Sequence, residues 1–298
     1  MNIRRLKDLL ACKIMFLATI LSSLIVFTIA VALFQRSAPI LTTLPLSELL
    51  LSSSWHPWEG KFGFYPFIMG TLWVTALAMV LSIPPSLLTS IYLAEYAPNK
   101  VRAIIKPMID LLAGIPSVVY GLWGVLLVVP LIGDYVAPLS GVSSTGYTVF
   151  AGGIVLALMV FPIIISISEE VLTSVPQETR EASMALGATK WQTVKHAVLR
   201  RAFPGIFAAI ILGFGRAFGE TMAVLMVVGN VPTAPSSLFD PAYPLPALIA
   251  NNYGEMMSIP LYDSALMLAA LFLLFVVLLF SVMAGIILMR IKRRYAIG

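Results

Sequence analysis

Two charged side chains, Arg216 and Glu220, stand inside an otherwise apolar run from Ile206 to Gly229. An arginine at the middle of a membrane helix costs ~2.5–3.5 kcal/mol on insertion scales, so it must face a partner charge or a polar cavity. In a helix a spacing of four residues puts the two side chains on one face, a turn apart. Two readings stay open: an ion pair that only makes the segment insertable, or a polar patch with a binding role. Other reactive groups are sparse. Histidine occurs at His56 and His196, and cysteine only at Cys12, which excludes an internal disulfide and a metal cluster built from these residues. The P-loop pattern G-x-x-x-x-G-K-[ST] does not occur, so no nucleotide is held that way. Neither H-E-x-x-H nor G-x-S-x-G occurs, and no nucleophile–base pair can be nominated. Gly213, Gly215 and Gly219 depart by one position from the dinucleotide fingerprint. We read Gly215 and Gly219 as small residues that let helices approach closely. No catalytic residue, cofactor or metal is expected.

The elements that must position Arg216 and Glu220 follow from composition. The chain of 298 residues is 59% hydrophobic and 11% charged, with a mean hydropathy of +0.96. Soluble domains carry about 25% charged residues, so this chain cannot maintain a water-facing surface. That excludes a soluble enzyme, a disordered chain and a nucleic-acid-binding domain, although the net charge is +5. A bilayer core needs about 20 apolar residues in helix, and six runs qualify: Ile14–Phe34, Phe67–Leu93, Met108–Ile132, Thr148–Ser168, Ile206–Gly229 and Ala265–Met289. They lack the alternation of barrel strands, and backbone groups in lipid must be satisfied within the segment. The fold class is therefore an all-α membrane protein with six transmembrane helices. We expect a single membrane domain over residues 1–298, with its core at 67–289.

Of the 19 basic residues, 16 lie at the termini, in the second-to-third loop and in the fourth-to-fifth loop; only Arg36 and Lys61 lie on the other side. The positive-inside rule then puts both termini in the cytoplasm. The first run contains Ala30-Val31-Ala32, which suits signal cleavage, but it exceeds a usual signal core and reads as an uncleaved span. Asp110 is expected near the start of the third span, favoured there by the helix dipole. Ser117 and Tyr120 offer hydroxyls either to a pathway or to packing. Trp55 and Trp58 flank His56 and Pro57 in the first outer loop, as residues at headgroup level do.

The stretch Glu169–Gly205 is too polar to span and reads as two short helices. Ser174 is expected to cap the first, with Gln177 completing a capping box and Pro176 in the first turn. That helix should run to about Leu186, with Gly187 as a left-handed cap. Thr189 should cap the second, with Trp191, Val194 and Val198 along one face. Such a surface helix pair suits either lipid headgroups or a soluble partner.

The segment E-A-S-M-A-L-G, Glu181 to Gly187, resembles the E-A-A-x-x-x-G signature of ABC importer permeases. Ser183 stands where alanine is usual, and Arg200 follows Leu199 where that family has a proline. The stretches L-A-E-Y-A-P (Leu93–Pro98), G-I-P-S-V-V-Y-G (Gly114–Gly121) and G-R-A-F-G-E-T-M-A-V (Gly215–Val224) are together similar to bacterial phosphate ABC importer permeases. The distal L-P-A-L-I-A-N-N-Y-G-E and L-Y-D-S-A-L segments are more similar to the PstC-like than to the PstA-like subunit. The resemblance implies a type I ABC importer permease fold in the bacterial cytoplasmic membrane, with a cytoplasmic coupling helix. Glu181, Ala182 and Gly187 would carry the ATPase coupling. The implied partners are a PstA-like second permease, two ATP-binding subunits, an external phosphate-binding protein, phosphate and the lipid bilayer. Arg216 would then lie on the anion's route, since a guanidinium donates two parallel hydrogen bonds to an oxyanion, while Glu220 would keep the anion from binding too tightly. A permease for phosphonate, sulfate or molybdate, and more distantly a membrane-embedded enzyme, are the alternatives.

Overall fold

The structure is a computed structural model that describes residues 3–256 and 258–295, with side chains described for 10–256 and 258–289. In chain order the elements are α1 (Ile3–Thr43), α2 (Leu46–Leu51), the strands β1 (Trp55–His56) and β2 (Lys61–Phe62), α3 (Tyr65–Tyr96) and α4 (Asn99–Gly114). Then follow α5 (Ser117–Leu139), α6 (Val149–Thr173), α7 (Gln177–Ala185), α8 (Lys190–Gly219), α9 (Met222–Val227), α10 (Leu245–Asn252) and α11 (Tyr262–Tyr295). Among the described residues, six helices, α1, α3, α5, α6, α8 and α11, are long and apolar enough to cross a membrane.

The centre of the bundle is α6, packed between α3 and α8, while α1 and α11 lie against each other. On α3, Ala78, Ser82, Ser86 and Ser90 recur every four residues and are all buried, which places a stripe of small side chains on one helix face. The buried core joins α3, α5, α6, α8 and α9. Several spans contain wide turns with hydrogen bonds five residues apart, at Tyr92–Tyr96, Gly124–Val128, Ile132–Val136 and Val194–Val198. A proline clashes with the carbonyl four residues earlier. Pro130 and Pro138 face the carbonyls of Leu126 and Asp134, which both lie inside such turns. The looser turn accommodates the ring without ending the helix.

The first expected span runs on to Thr43 and does not end at Phe34, and the third and fifth start elsewhere. The third starts at Ser117 and not at Met108, because Pro116 holds Ile115 extended (φ −67°, ψ 130°) by the clash a proline imposes on the residue before it. Residues 99–114 form the separate amphipathic helix α4, so Asp110 sits in its distal half and not at a helix start. The fifth span runs from Lys190 to Gly219, not from Ile206 to Gly229. The second helix of the polar connection is therefore the beginning of that span and not a separate short element.

At the opposite end, β1 and β2 pair Trp55 with Phe62 and His56 with Lys61. The Trp55 ring packs edge-on against Phe62 and Phe67 at centroid distances of 5.7 and 4.9 Å, so Trp55 belongs to a core, while Trp58 at the tip is exposed. The first amides of α6 are satisfied from outside the helix: Val149 donates to Asp240 and Phe150 to Leu238.

Candidate functional site

The connection between α6 and α8 is built from caps. Ser174 does not open α7; it closes α6, its amide donating to Glu170 and its hydroxyl to Val171 at 2.7 Å. The expected capping box with Gln177 is therefore absent, and Pro176 occupies the cap position without a side-chain bond. At the other end of α7, Gly187 adopts φ +87°. Its amide donates to Met184 at 2.9 Å and that of Ala188 to Ser183 at 3.3 Å, the paired bonds of a Schellman turn. Thr189 then caps α8. Its hydroxyl accepts from the Gln192 amide at 3.3 Å, and Gln192 Oε1 accepts from the Thr189 amide at 2.8 Å. Of the expected stripe, Val194 and Val198 are buried, whereas Trp191 is 55% exposed. Glu181, Ala182 and Gly187 are all exposed. No residue of α7 is buried, and Leu186 is 90% exposed.

Two carboxylates near this connection are buried and paired. Glu169 of α6 accepts from Arg102 and from Lys106 of α4, the latter at 3.1 Å. Glu95 of α3 accepts from Arg180 of α7 at 2.6 Å. Their side chains are 4% and 6% exposed. Sequence reading did not single out these pairs, since the partners are 63 to 85 residues apart. One signal was present: a carboxylate at the end of an apolar run, at the end of the bundle rich in basic loops, has to find a cation once it is buried.

Arg216 and Glu220 do not form the expected pair. The helix ends at Gly219, and Glu220 turns extended (φ −71°, ψ 128°), so four residues no longer make one turn. Among the described residues the ion pairs are Lys61–Glu59, Arg102–Glu169, Lys106–Glu169 and Arg180–Glu95. Glu220 Oε1 instead accepts from the Ala223 amide at 3.3 Å, closing the start of α9. Glu220 lies beside a small void shared with Thr71 and Thr75 of α3. Arg216 is exposed. Tyr120 donates its hydroxyl to the Leu112 carbonyl at 2.9 Å, which fastens α5 to the end of α4. The close approach expected at Gly215 and Gly219 is made by Gly213 instead. A methyl there would meet Val160 and Ile164 of α6 at 2.9 Å, while Gly215 and Gly219 face open space. Arg216 thus sits on an open face of α8, and a charge in a span needs a polar cavity or a partner there.

Comparison with known proteins agrees with this architecture. Residues 86–296 match the family described as binding-protein-dependent transport system inner membrane component. The chain is 40% identical over 239 residues to the probable ABC transporter permease protein YqgH of Bacillus subtilis, covering 78% of this chain and 76% of that protein. It is 38% identical over 257 residues to the phosphate transport system permease protein PstC of Xylella fastidiosa, covering 82% and 79%. In fold it is similar to a bacterial ABC transporter involved in the import of the acidic polysaccharide alginate, with TM-score 0.65 at 16% identity, over 97% of this chain and 99% of that one. The MetNI methionine ABC transporter has TM-score 0.55 at 20% identity, over 74% and 93%. By family match and by fold, the chain belongs to the binding-protein-dependent transport system inner membrane components, as a multi-pass permease subunit of an ABC importer.

Proposed function

We propose that this chain is the PstC-like subunit of an ATP-driven phosphate importer, with both termini in the cytoplasm. It forms half of a translocation path with a PstA-like permease, receives phosphate from an external binding protein, and engages two ATP-binding subunits. It performs no covalent chemistry itself. The observation that carries the reading is Arg216, a guanidinium on an open face of a spanning helix with Glu220 turned to another task. Its planar fork suits a phosphate oxyanion, and the cost of leaving it in lipid is offset when the open face borders an aqueous path. The relatives named as phosphate permeases support the choice of anion. For coupling, α7 offers Glu181 and Ala182 on an exposed helix, followed by the rigid Gly187 turn and the exposed Leu186.

The test is labelled-phosphate uptake in cells lacking other phosphate importers, with the whole complex expressed and uptake normalised to assembled complex. Parallel assays use sulfate, molybdate and phosphonate with their own binding proteins. Arg216→Ala should abolish or severely reduce uptake while assembly persists. Near-normal uptake by Arg216→Met with Glu220→Leu would remove both residues from the path.

A further inference from the structure

The exposed surface of α7 explains how a partner could push on it but not how the push reaches the spans. A helix without a buried residue is held by no hydrophobic core, so its side-chain hydrogen bonds must carry the load. Three residues of α7 make them. Thr179 accepts from Arg201 at 3.0 Å, and Ser183 accepts from Thr193 at 3.0 Å, both tying α7 to α8. Arg180 does something different. Its Nε donates to both carboxylate oxygens of Glu95 at 3.2 Å, and one terminal nitrogen reaches Glu95 at 2.6 Å and the Leu172 carbonyl at 2.9 Å. The other terminal nitrogen donates to the Val175 carbonyl at 2.5 Å. One guanidinium therefore clamps α7 to the end of α3 and to carbonyls in the last turn of α6 and just beyond it, where the helix dipole favours a cation.

Among the described residues, Arg180 is the only side chain of α7 hydrogen-bonded to α3. An open cleft of about 680 Å³ otherwise lies here, lined by Ala94, Thr173, Met184, Lys190 and Val194, with Arg180 and Glu95 on its wall. Glu95 itself lies in the wide turn Tyr92–Tyr96. From α6 the connection continues through polar contacts, Glu169 to Arg102 of α4 and the Leu112 carbonyl of α4 to Tyr120 of α5, which packs against the core that holds Ala217 of α8, the residue after Arg216.

We propose that Arg180 is a positioning residue that transmits displacement of α7 to α3 and α6, so that ATPase movement changes the path near Arg216. This rests on the reading of α7 as the ATPase-facing helix. A bidentate, carbonyl-anchored arginine suits the role because it resists both pull and rotation, which a single neutral hydrogen bond does not.

The test uses the complete complex with Arg180→Ala, Arg180→Lys and Glu95→Gln, the last keeping the shape of the side chain and an acceptor oxygen. Three quantities are measured: ATPase co-purification, ATP turnover, and phosphate uptake per ATP. Arg180→Ala and Glu95→Gln should retain ATPase and turnover within about twofold of wild type while uptake per ATP falls at least about tenfold, and Arg180→Lys should fall between. A second readout needs no substrate. A cysteine at position 94, on a Cys12→Ser background, should show ATP-dependent labelling in the cleft with Arg180 and Glu95 intact, and lose that dependence in Glu95→Gln. Unchanged uptake per ATP with unchanged labelling would overturn the proposal. Failure of Glu95→Gln to assemble would also overturn it, assigning the pair to folding. A wild-type complex that takes up no phosphate would refute the proposed anion, whereas the labelling result would still decide on Arg180.

Discussion

Replacement of Gly187 tests the turn that, in the proposed assembly, presents α7 to the ATPase. The residue sits at φ +87°, and a Cβ built on it meets nothing within 4 Å. Alanine there pays no clash, only the left-handed conformation, roughly 1–2 kcal/mol for an L-residue. That lowers the ratio of closed to open turn by about 5- to 30-fold. Asparagine tolerates this region better than alanine does, so it should cost less. Proline cannot adopt it at all, since its ring holds φ near −65°, and it also removes the amide that donates to Met184 at 2.9 Å. The turn must then open, moving Leu186 and releasing α7 from the Thr189 cap of α8. The assay is co-purification of the ATPase with tagged permease across a salt series, with insertion checked separately. Retention should fall in the order glycine, asparagine, alanine, proline, and the proline variant should insert normally yet hold no ATPase. Wild-type stoichiometry and salt resistance in the Gly187→Pro complex would refute the reasoning.

Glu169→Ala should lower thermal stability in detergent by ~1–3 kcal/mol, the worth of a charged hydrogen bond, because Arg102 and Lys106 are 31% and 51% exposed and can turn to water. Replacing both Arg102 and Lys106 by alanine leaves the carboxylate buried and unpaired, costing ~3–5 kcal/mol; the reverse order would contradict the geometry. Asp240 is held below the usual carboxylate range by the Ser236 hydroxyl, then by the Ser236 and Ser237 amides. Because its pKa is lowered in the folded state, its stabilisation is complete above the unfolded value of about 3.9 and is lost as pH falls through the lower folded value. Limited proteolysis of the 231–244 segment should therefore rise only in that acidic range in the wild type, and at every pH in Asp240→Ala; opening of the wild type near neutrality would count against it. Cysteines placed at 102 and 195 should resist an impermeant reagent in intact cells, while one at 61 reacts; labelling at 195 from outside would reverse the orientation.

What the sequence determined by itself is whatever depends on short-range pattern. Hydrophobic run length settles that there are six spans, though not where each begins, because each helix satisfies its own backbone regardless of neighbours. Gly187 and Thr189 were legible for the same reason, since a left-handed cap and an N-cap are made within a few residues of chain, although the equally local capping box expected at Ser174 and Gln177 did not form because Ser174 closes α6. The outcomes that sequence missed depend on where the chain stops being regular and on what lies across from it. The break at Glu220 separates it from Arg216, and no spacing rule reveals a helix end inside an apolar run with no proline. The start of α5 was hidden likewise, since residues 108–116 are apolar enough to extend a span until Pro116 bends the backbone. The close approach at Gly213 required Val160 and Ile164 to be on the facing helix. Tertiary structure alone decided the pairing of Glu95 with Arg180 and of Glu169 with Arg102 and Lys106. A buried carboxylate demands a cation, but the chain offers 19 basic residues, and only packing chooses among partners this far apart in sequence.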